Sequence, residues 1–232
     1  MLKSKGADFT WSKGVHLTRF IQPNVPGWEG SVAAPFPNLG QVTDTVSSAK
    51  SLYRGFTIGM RKRMSHRFLF DANYTYSVDR DDDSNERDPF TFRYLNLFNL
   101  AAEYGYSDRD ERHKFNAYTV ADLPWGFHGN VRMQAHSAQP ITPNPRVVGG
   151  VDLGRNTLRK DNAFFTFDFG VDRPFHIGER MQLIPKIEMF NSFNNKNNVN
   201  PLSTPALFNF DGFLRAGVGD PRQAQLSVRF EF

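Results

Sequence analysis

The chain has no cysteine among its 232 residues, which excludes disulfide frameworks and thiolate metal sites while leaving the compartment open. No apolar run approaches the roughly 18 residues of a membrane-spanning helix, and the mean hydropathy is negative. Neither absence bears on a membrane barrel, whose alternating strands dilute any hydropathy average. Met1 is followed by Leu2, Lys3, Ser4, Lys5 and Gly6, without the apolar core or cleavage site of a secretory leader. The net charge of +4 is spread along the chain. With no basic stripe interleaved with stacking aromatics, nucleic acid is not an expected partner. Glycine-rich phosphate loops and nucleophile elbows are also missing, so neither an enzyme nor a bound cofactor is expected. What the chain has in quantity is phenylalanine, 23 residues against three tryptophans and seven tyrosines. That usage suits a sheet with an aromatic outside better than a helical protein.

The clearest pattern lies at the end. In Arg222–Phe232, Leu226, Val228, Phe230 and Phe232 alternate with Gln225, Ser227, Arg229 and Glu231. A strand has a side-chain period of two, so one face is apolar and the other polar. The length matches the roughly 9–11 residues that cross a bilayer as a tilted strand. The same grammar recurs upstream. Phe165, Phe167, Phe169 and Val171 alternate with Thr166, Asp168 and Asp172, and Met181, Leu183, Ile187 and Met189 alternate with Gln182, Lys186 and Glu188. Phe127, Gly129, Val131, Met133 and Ala135 oppose His128, Asn130, Arg132, Gln134 and His136. A strand at 112–121 carries Phe115, Ala117 and Thr119, and a hairpin of 52–62 with 67–79 turns at Met64, Ser65 and His66. A first strand from Ala7 to about Phe20 places Phe9, Trp11, Val15 and Leu17 on one face. Facing Arg or Lys toward lipid near the midplane costs about 2–4 kcal/mol each, and Asp or Glu somewhat less. The apolar rows are therefore expected outside and the charged rows inside.

Connections alternate in length. Long ones are read at 21–50, 80–110, 139–161 and 194–221, and short ones at 63–66, 122–126 and 174–179. Short turns on one side and long loops on the other are the habit of outer-membrane barrels; a soluble sandwich has no reason to segregate them. The loops have loop chemistry: Pro23, Pro26, Pro35 and Pro37 punctuate the first, and 191–200 is asparagine-rich, expected as a solvated surface segment. The acidic stretch Asp79–Glu86 lacks calcium-loop spacing and is expected to be solvated. His16, His66, His113, His128, His136 and His176 form no short-range metal pair. His128 and His136, eight residues apart on one strand, would stand roughly 26 Å from each other. Asp108, Asp110, Glu111 and His113, with Arg109 and Arg112, are expected to form a charged network pinning their loop.

Several segments in order carry a likeness: Asn73-Tyr74-Thr75-Tyr76-Ser77, Ser107 to Phe115, Asp122-Leu123-Pro124-Trp125-Gly126, Gly154 to Arg159, Glu188 to Asn195, and Pro221 to Leu226. Together they resemble the C-terminal barrel portion of TonB-dependent outer-membrane receptors, in particular the Oar-like subgroup with a carboxypeptidase-regulatory-like domain. The resemblance covers most of the chain from about residue 50. It implies an all-β fold, a transmembrane antiparallel β-barrel. Residues 1–232 would supply about eight consecutive C-terminal strands of a barrel of about 22 strands. Plug, TonB box and signal peptide are not visible, so the chain is expected to be a fragment.

The implied function is active uptake of a scarce nutrient across the bacterial outer membrane, without catalysis. The implied partners are outer-membrane lipid and lipopolysaccharide, the barrel-assembly machinery, the TonB system through the missing N-terminal part, and a small-molecule or oligomeric nutrient. The resemblance makes Leu226, Val228, Phe230 and Phe232 the assembly signal. It makes Arg132, Gln134, Asp168, Asp172, Lys186, Glu188, Arg229 and Glu231 lumen- or plug-facing, and gives substrate contact to the loops at 80–110, 139–161 and 194–221. Two other readings stand beside it: a standalone eight-stranded barrel acting as adhesin or anchor, and a soluble β-sandwich binding module.

Overall fold

The computed structural model describes residues 4–27, 32–84, 94–200 and 217–232. Eight long strands form one antiparallel sheet: β1 (Ser4–Ile21), β2 (Asp44–Ser65), β3 (Phe68–Asp81), β4 (His113–Asp122), β5 (His128–His136), β6 (Phe164–Asp172), β7 (Met181–Phe190) and β8 (Gln223–Glu231). Each pairs with the next along the chain, and two short strands, Gly105–Tyr106 and Phe175–Ile177, extend the sheet beside β3 and β7. Among the described residues no helix is long and apolar enough to cross a membrane.

Register carries the alternation from strand to strand. One apolar row runs Ala7–Ile58–Tyr74–Phe115–Ala135–Phe165. Another runs Val131–Phe169–Met189–Ala224 and a third Gly129–Val171–Ile187–Leu226. Because a one-residue slip would move every side chain to the other face, this coherence fixes the pairing. The apolar face has no cover: Phe9 is 69% exposed, Ile187 53% and Leu226 77%. Buried hydrophobic residues among those described are only Ile21, Ala49 and Ile184. A soluble sandwich would bury such rows between two sheets. Here the long strands all lie in one sheet, its greasy side open, the other sheets among the described residues are two-stranded, and the sandwich reading fails. The far edges of β1 and β8 pair with no strand among the described residues.

Local structure departs from the sequence reading at several points. In β1 a bulge between Gly14 and Leu17, with His16 at φ 56°, sets Leu17 opposite Ala49. An inserted residue changes the facing downstream, so Leu17 leaves the Phe9–Trp11 face. β2 begins at Asp44, well inside the expected first loop. The first hairpin turns on His66 and Arg67, both at positive φ, as a two-residue primed turn requires; Met64 and Ser65, expected in the turn, belong to β2. Phe175–Ile177 pairs with Met181–Leu183, so the third short connection tightens to a tip at Gly178. Pro185 is tolerated inside β7 because its nitrogen points toward the break between β6 and Phe175, where its carbonyl accepts from Arg173 at 3.3 Å.

Candidate functional site

The polar face is a lattice of cross-strand rows. One reads Arg61–Asp71–Tyr118–Arg132–Asp168, and the next Gly59–Asn73–Asn116–Gln134–Thr166. Arg61 Nε lies 2.6 Å from Asp71. The amides form a ladder, Asn116 donating to Asn73 at 3.2 Å and Gln134 donating to Asn116 at 3.4 Å. A cleft of about 320 Å³ opens over them, lined by Asp71, Asn116, Tyr118, Arg132 and Gln134. A second, about 430 Å³, is lined by Gln134, Thr166, Asp168, Asn191, Asn197 and Asp220.

All eight residues expected on the lumen side share this face. Arg132 and Gln134 line the first cleft, and Asp168 lines the second while accepting the Asn191 N–H at 2.8 Å. Asp172 holds His128 at 3.1 Å, Lys186 pairs with Glu188 at 2.6 Å, and Arg229 pairs with Glu231 at 3.0 Å. Asp71, Asn73, Asn116 and Tyr118 complete the site although they were not singled out; period-two alternation through β3 and β4 was the signal that could have found them. Leu226, Val228, Phe230 and Phe232 line up on the opposite, apolar face, with the last two rings 6.1 Å apart.

At the long-loop end the connections are stitched into a crown by arginine. Asp110 is wholly buried and serves as a hub: it takes Arg112 at 3.1 Å, Arg159 at 2.7 Å and the Asp79 N–H at 2.8 Å. Asp108 accepts from Asn156 at 2.7 Å, and Glu111 pairs with Lys114 at 2.8 Å. His113 leaves that network, bonding instead to the Tyr74 hydroxyl at 2.7 Å. Arg155 binds the Asp81 carboxylate and donates to the Glu103 carbonyl at 2.8 Å. Arg146 bridges buried Glu103 at 2.6 Å and Asp152 at 2.7 Å. The Arg146 hydrogen bond, followed by one from the Gly154 N–H, holds the Asp152 carboxyl below its usual range. Burial, then the hydrogen bond to Asp83, pushes the Tyr94 phenol upward. Hydrogen bonds from Arg112 and Arg80 lower that of Tyr106.

Two expectations are corrected here. The acidic stretch is not solvated where it is described: Asp81 and Asp82 are buried, each against an arginine. Asn85 and Glu86 lie outside the described residues. Nor is the asparagine run a solvated loop. Asn191 and Asn197 are buried, and Asn197 clamps the Phe165 backbone, accepting its N–H at 2.9 Å and donating to its carbonyl at 3.0 Å. Positions 201–216 of that loop, like 28–31 of the first, fall outside the description. Among the described residues no cluster of His, Asp or Glu has the makings of a metal site.

The chemistry available is recognition: paired charges, amides and a phenol around open clefts, on the reverse of an exposed apolar face. A family model described as an outer membrane beta barrel domain matches residues 7–142. No curated protein and no solved structure matches the chain. The match spans more than half of the sequence, from within β1 through β5, and the chain belongs to this family of outer membrane beta barrel domains of the bacterial outer membrane.

Proposed function

We propose that the chain is the C-terminal barrel segment of a TonB-dependent receptor that takes up a scarce nutrient through the outer membrane. The observation that carries this reading is the open sheet: the outer edges of β1 and β8 pair with no strand among the described residues. A bilayer does not accept an unpaired strand edge, because its N–H and C=O groups would lie unsatisfied in hydrocarbon. In this reading further strands complete the wall, and a wider barrel leaves room for a plug against the polar face. The order of motifs from Asn73 to Leu226 supports the receptor family. In this reading Arg132, Gln134, Asp168, Asp172, Lys186, Glu188, Arg229 and Glu231 meet the plug or the lumen. The crown of long loops meets the nutrient, and TonB engages the N-terminal part. No step is catalytic.

The test is a comparison of two secreted products, this chain alone and the gene read from its upstream frame. The receptor reading expects only the longer product to give a heat-modifiable band and to crosslink to TonB. A heat-modifiable band from the 232-residue chain alone would instead establish the small barrel.

A further inference from the structure

The outward row of β1 reads Lys5, Ala7, Phe9, Trp11, Lys13, and that of β2 reads Lys62, Met60, Ile58, Phe56, Arg54. Each strand thus has a cation, three apolar residues and a second cation. Eight residues of strand span about 27 Å along the chain, or about 20 Å along the normal at the usual tilt, close to the height of a barrel's apolar band. The two ends differ. At the short-turn end Lys62 is satisfied internally, donating to the carbonyls of Ser65 at 2.5 Å and Phe68 at 2.7 Å. At the long-loop end Lys13, Arg54 and Arg80 are exposed.

These three cations form a cluster. Leu52 pairs with both Lys13 and Arg80, so Arg54 sits diagonal to each, with Cβ atoms about 7–8 Å away. Arg80 lies 4.9 Å from the Tyr106 ring centroid, and Arg112 approaches the same ring at 4.9 Å. Among the described residues no carboxylate stands opposite Lys13, Arg54 or Arg80 on the neighbouring strands. Asp79 and Asp81 project from the other side of β3, and Asp110 is buried with Arg112 and Arg159. Below the cluster the surface is aromatic and apolar: Trp11 beside Arg54, then Phe9, Phe56, Ile58 and Tyr74.

We propose that this patch binds the headgroup of a bis-phosphorylated, multiply acylated glycolipid of the long-loop leaflet. Lys13, Arg54 and Arg80 meet the phosphates, and acyl chains run down over Phe9, Phe56 and Tyr74. Continuity between cations and lipid-facing aromatics calls for an amphiphile, which a soluble acidic protein is not. Lys13 and Arg80 stand two strands apart, about 10 Å, a spread that suits two phosphates better than one. The inference rests on the outer-membrane family assignment and is independent of the nutrient-uptake reading.

The test uses the protein in its membrane-inserted form, extracted in mild detergent, with lipid binding read by native mass spectrometry. The probes are bis-phosphorylated lipid A, its dephosphorylated form, phosphatidylglycerol and inorganic phosphate. Each cation at a membrane surface contributes on the order of a fivefold gain for anionic lipid. Arg54→Gln with Arg80→Gln should thus weaken lipid A binding roughly twentyfold. Lys5→Gln, on the same face at the opposite end, should leave it unchanged, as a retained heat-modifiable band would show to be a comparison of folded proteins. Equal binding of dephosphorylated lipid or phosphatidylglycerol would overturn the assignment. So would full competition by inorganic phosphate, or equal losses in the Arg54/Arg80 and Lys5 variants.

Discussion

The Arg19 guanidinium lies 2.6 Å from the Asp82 carboxylate, with the two side chains only 1% and 8% exposed. This pair joins the end of β1 to the loop after β3, with the Tyr94 ring 5.6 Å from the guanidinium carbon. Among the described residues Arg19 Nε and Nη1 have no hydrogen-bond partner, so removing Asp82 strands a buried cation. Asp82→Ala should destabilise the crown by about 3–5 kcal/mol, the usual effect of breaking a buried pair from one side. Limited proteolysis of the loop between β3 and β4 should show accelerated cleavage. Arg19→Met combined with Asp82→Leu should recover most of the loss, since no charge is then left alone.

Facing on β6 is tested by two adjacent positions. Phe167 lies on the apolar face opposite Met133, and Asp168 lies on the polar face opposite Arg132. Phe167→Asp turns a carboxylate toward hydrocarbon, at a cost somewhat below the about 2–4 kcal/mol of a cation. It also discards the ring that packs on Phe193 at 5.3 Å. That variant should fail to reach the heat-modifiable state in membranes. Asp168→Asn retains an acceptor for the Asn191 N–H and should assemble at near wild-type yield. Equal tolerance of both variants would sink the facing assigned to the whole sheet, because register ties every strand to this one.

The strands were legible because facing is written into each with period two, and neighbouring rows then agree without further information. Polarity fixes a face but says nothing of what covers a loop. Asp81 and Asp82 look like solvated acids until Arg155 and Arg19, 74 and 63 residues away in sequence, arrive against them. Asn197 looks like a turn residue; only the fold shows its amide standing in for a strand beside Phe165. The His66–Arg67 turn lacks the Asn-Gly signature that would have marked it. The polar site was half visible for the same reason. Arg132 and Gln134 advertise themselves by alternation, whereas Tyr118 becomes part of the cleft only through its pairing with Arg132.

Acid should loosen one loop before the sheet. Arg146 holds Asp152 below its ordinary value of 3.8, so this carboxyl is depressed in the folded state. Its contribution is present above that unfolded value and is lost as the pH falls through the lower folded one. The Val147–Asp152 hairpin should thus keep its protection from proteases at pH 5 and lose it only below about pH 3.8, where protonation removes the acceptor. Asp152→Asn should be unprotected throughout. Protection lost already near pH 5 in the wild type would refute the Arg146–Asp152 anchor.

Phe232 separates assembly from stability. The residue is 95% exposed, with its ring 6.1 Å from that of Phe230. An aromatic in that position has little packing to lose, so Phe232→Ala should change the unfolding midpoint of already assembled protein by less than the usual spread of surface substitutions, about 0.5 kcal/mol. If the terminal aromatic is read by the assembly machinery, the same substitution should sharply reduce the amount reaching the outer membrane and raise the periplasmic, protease-sensitive pool. Phe230→Ala, half exposed in the lipid-facing row opposite Leu183, should lower both yield and stability. A Phe232→Ala protein that inserts normally would deny this residue the role of signal. One that inserts normally but unfolds early would make it a packing residue instead.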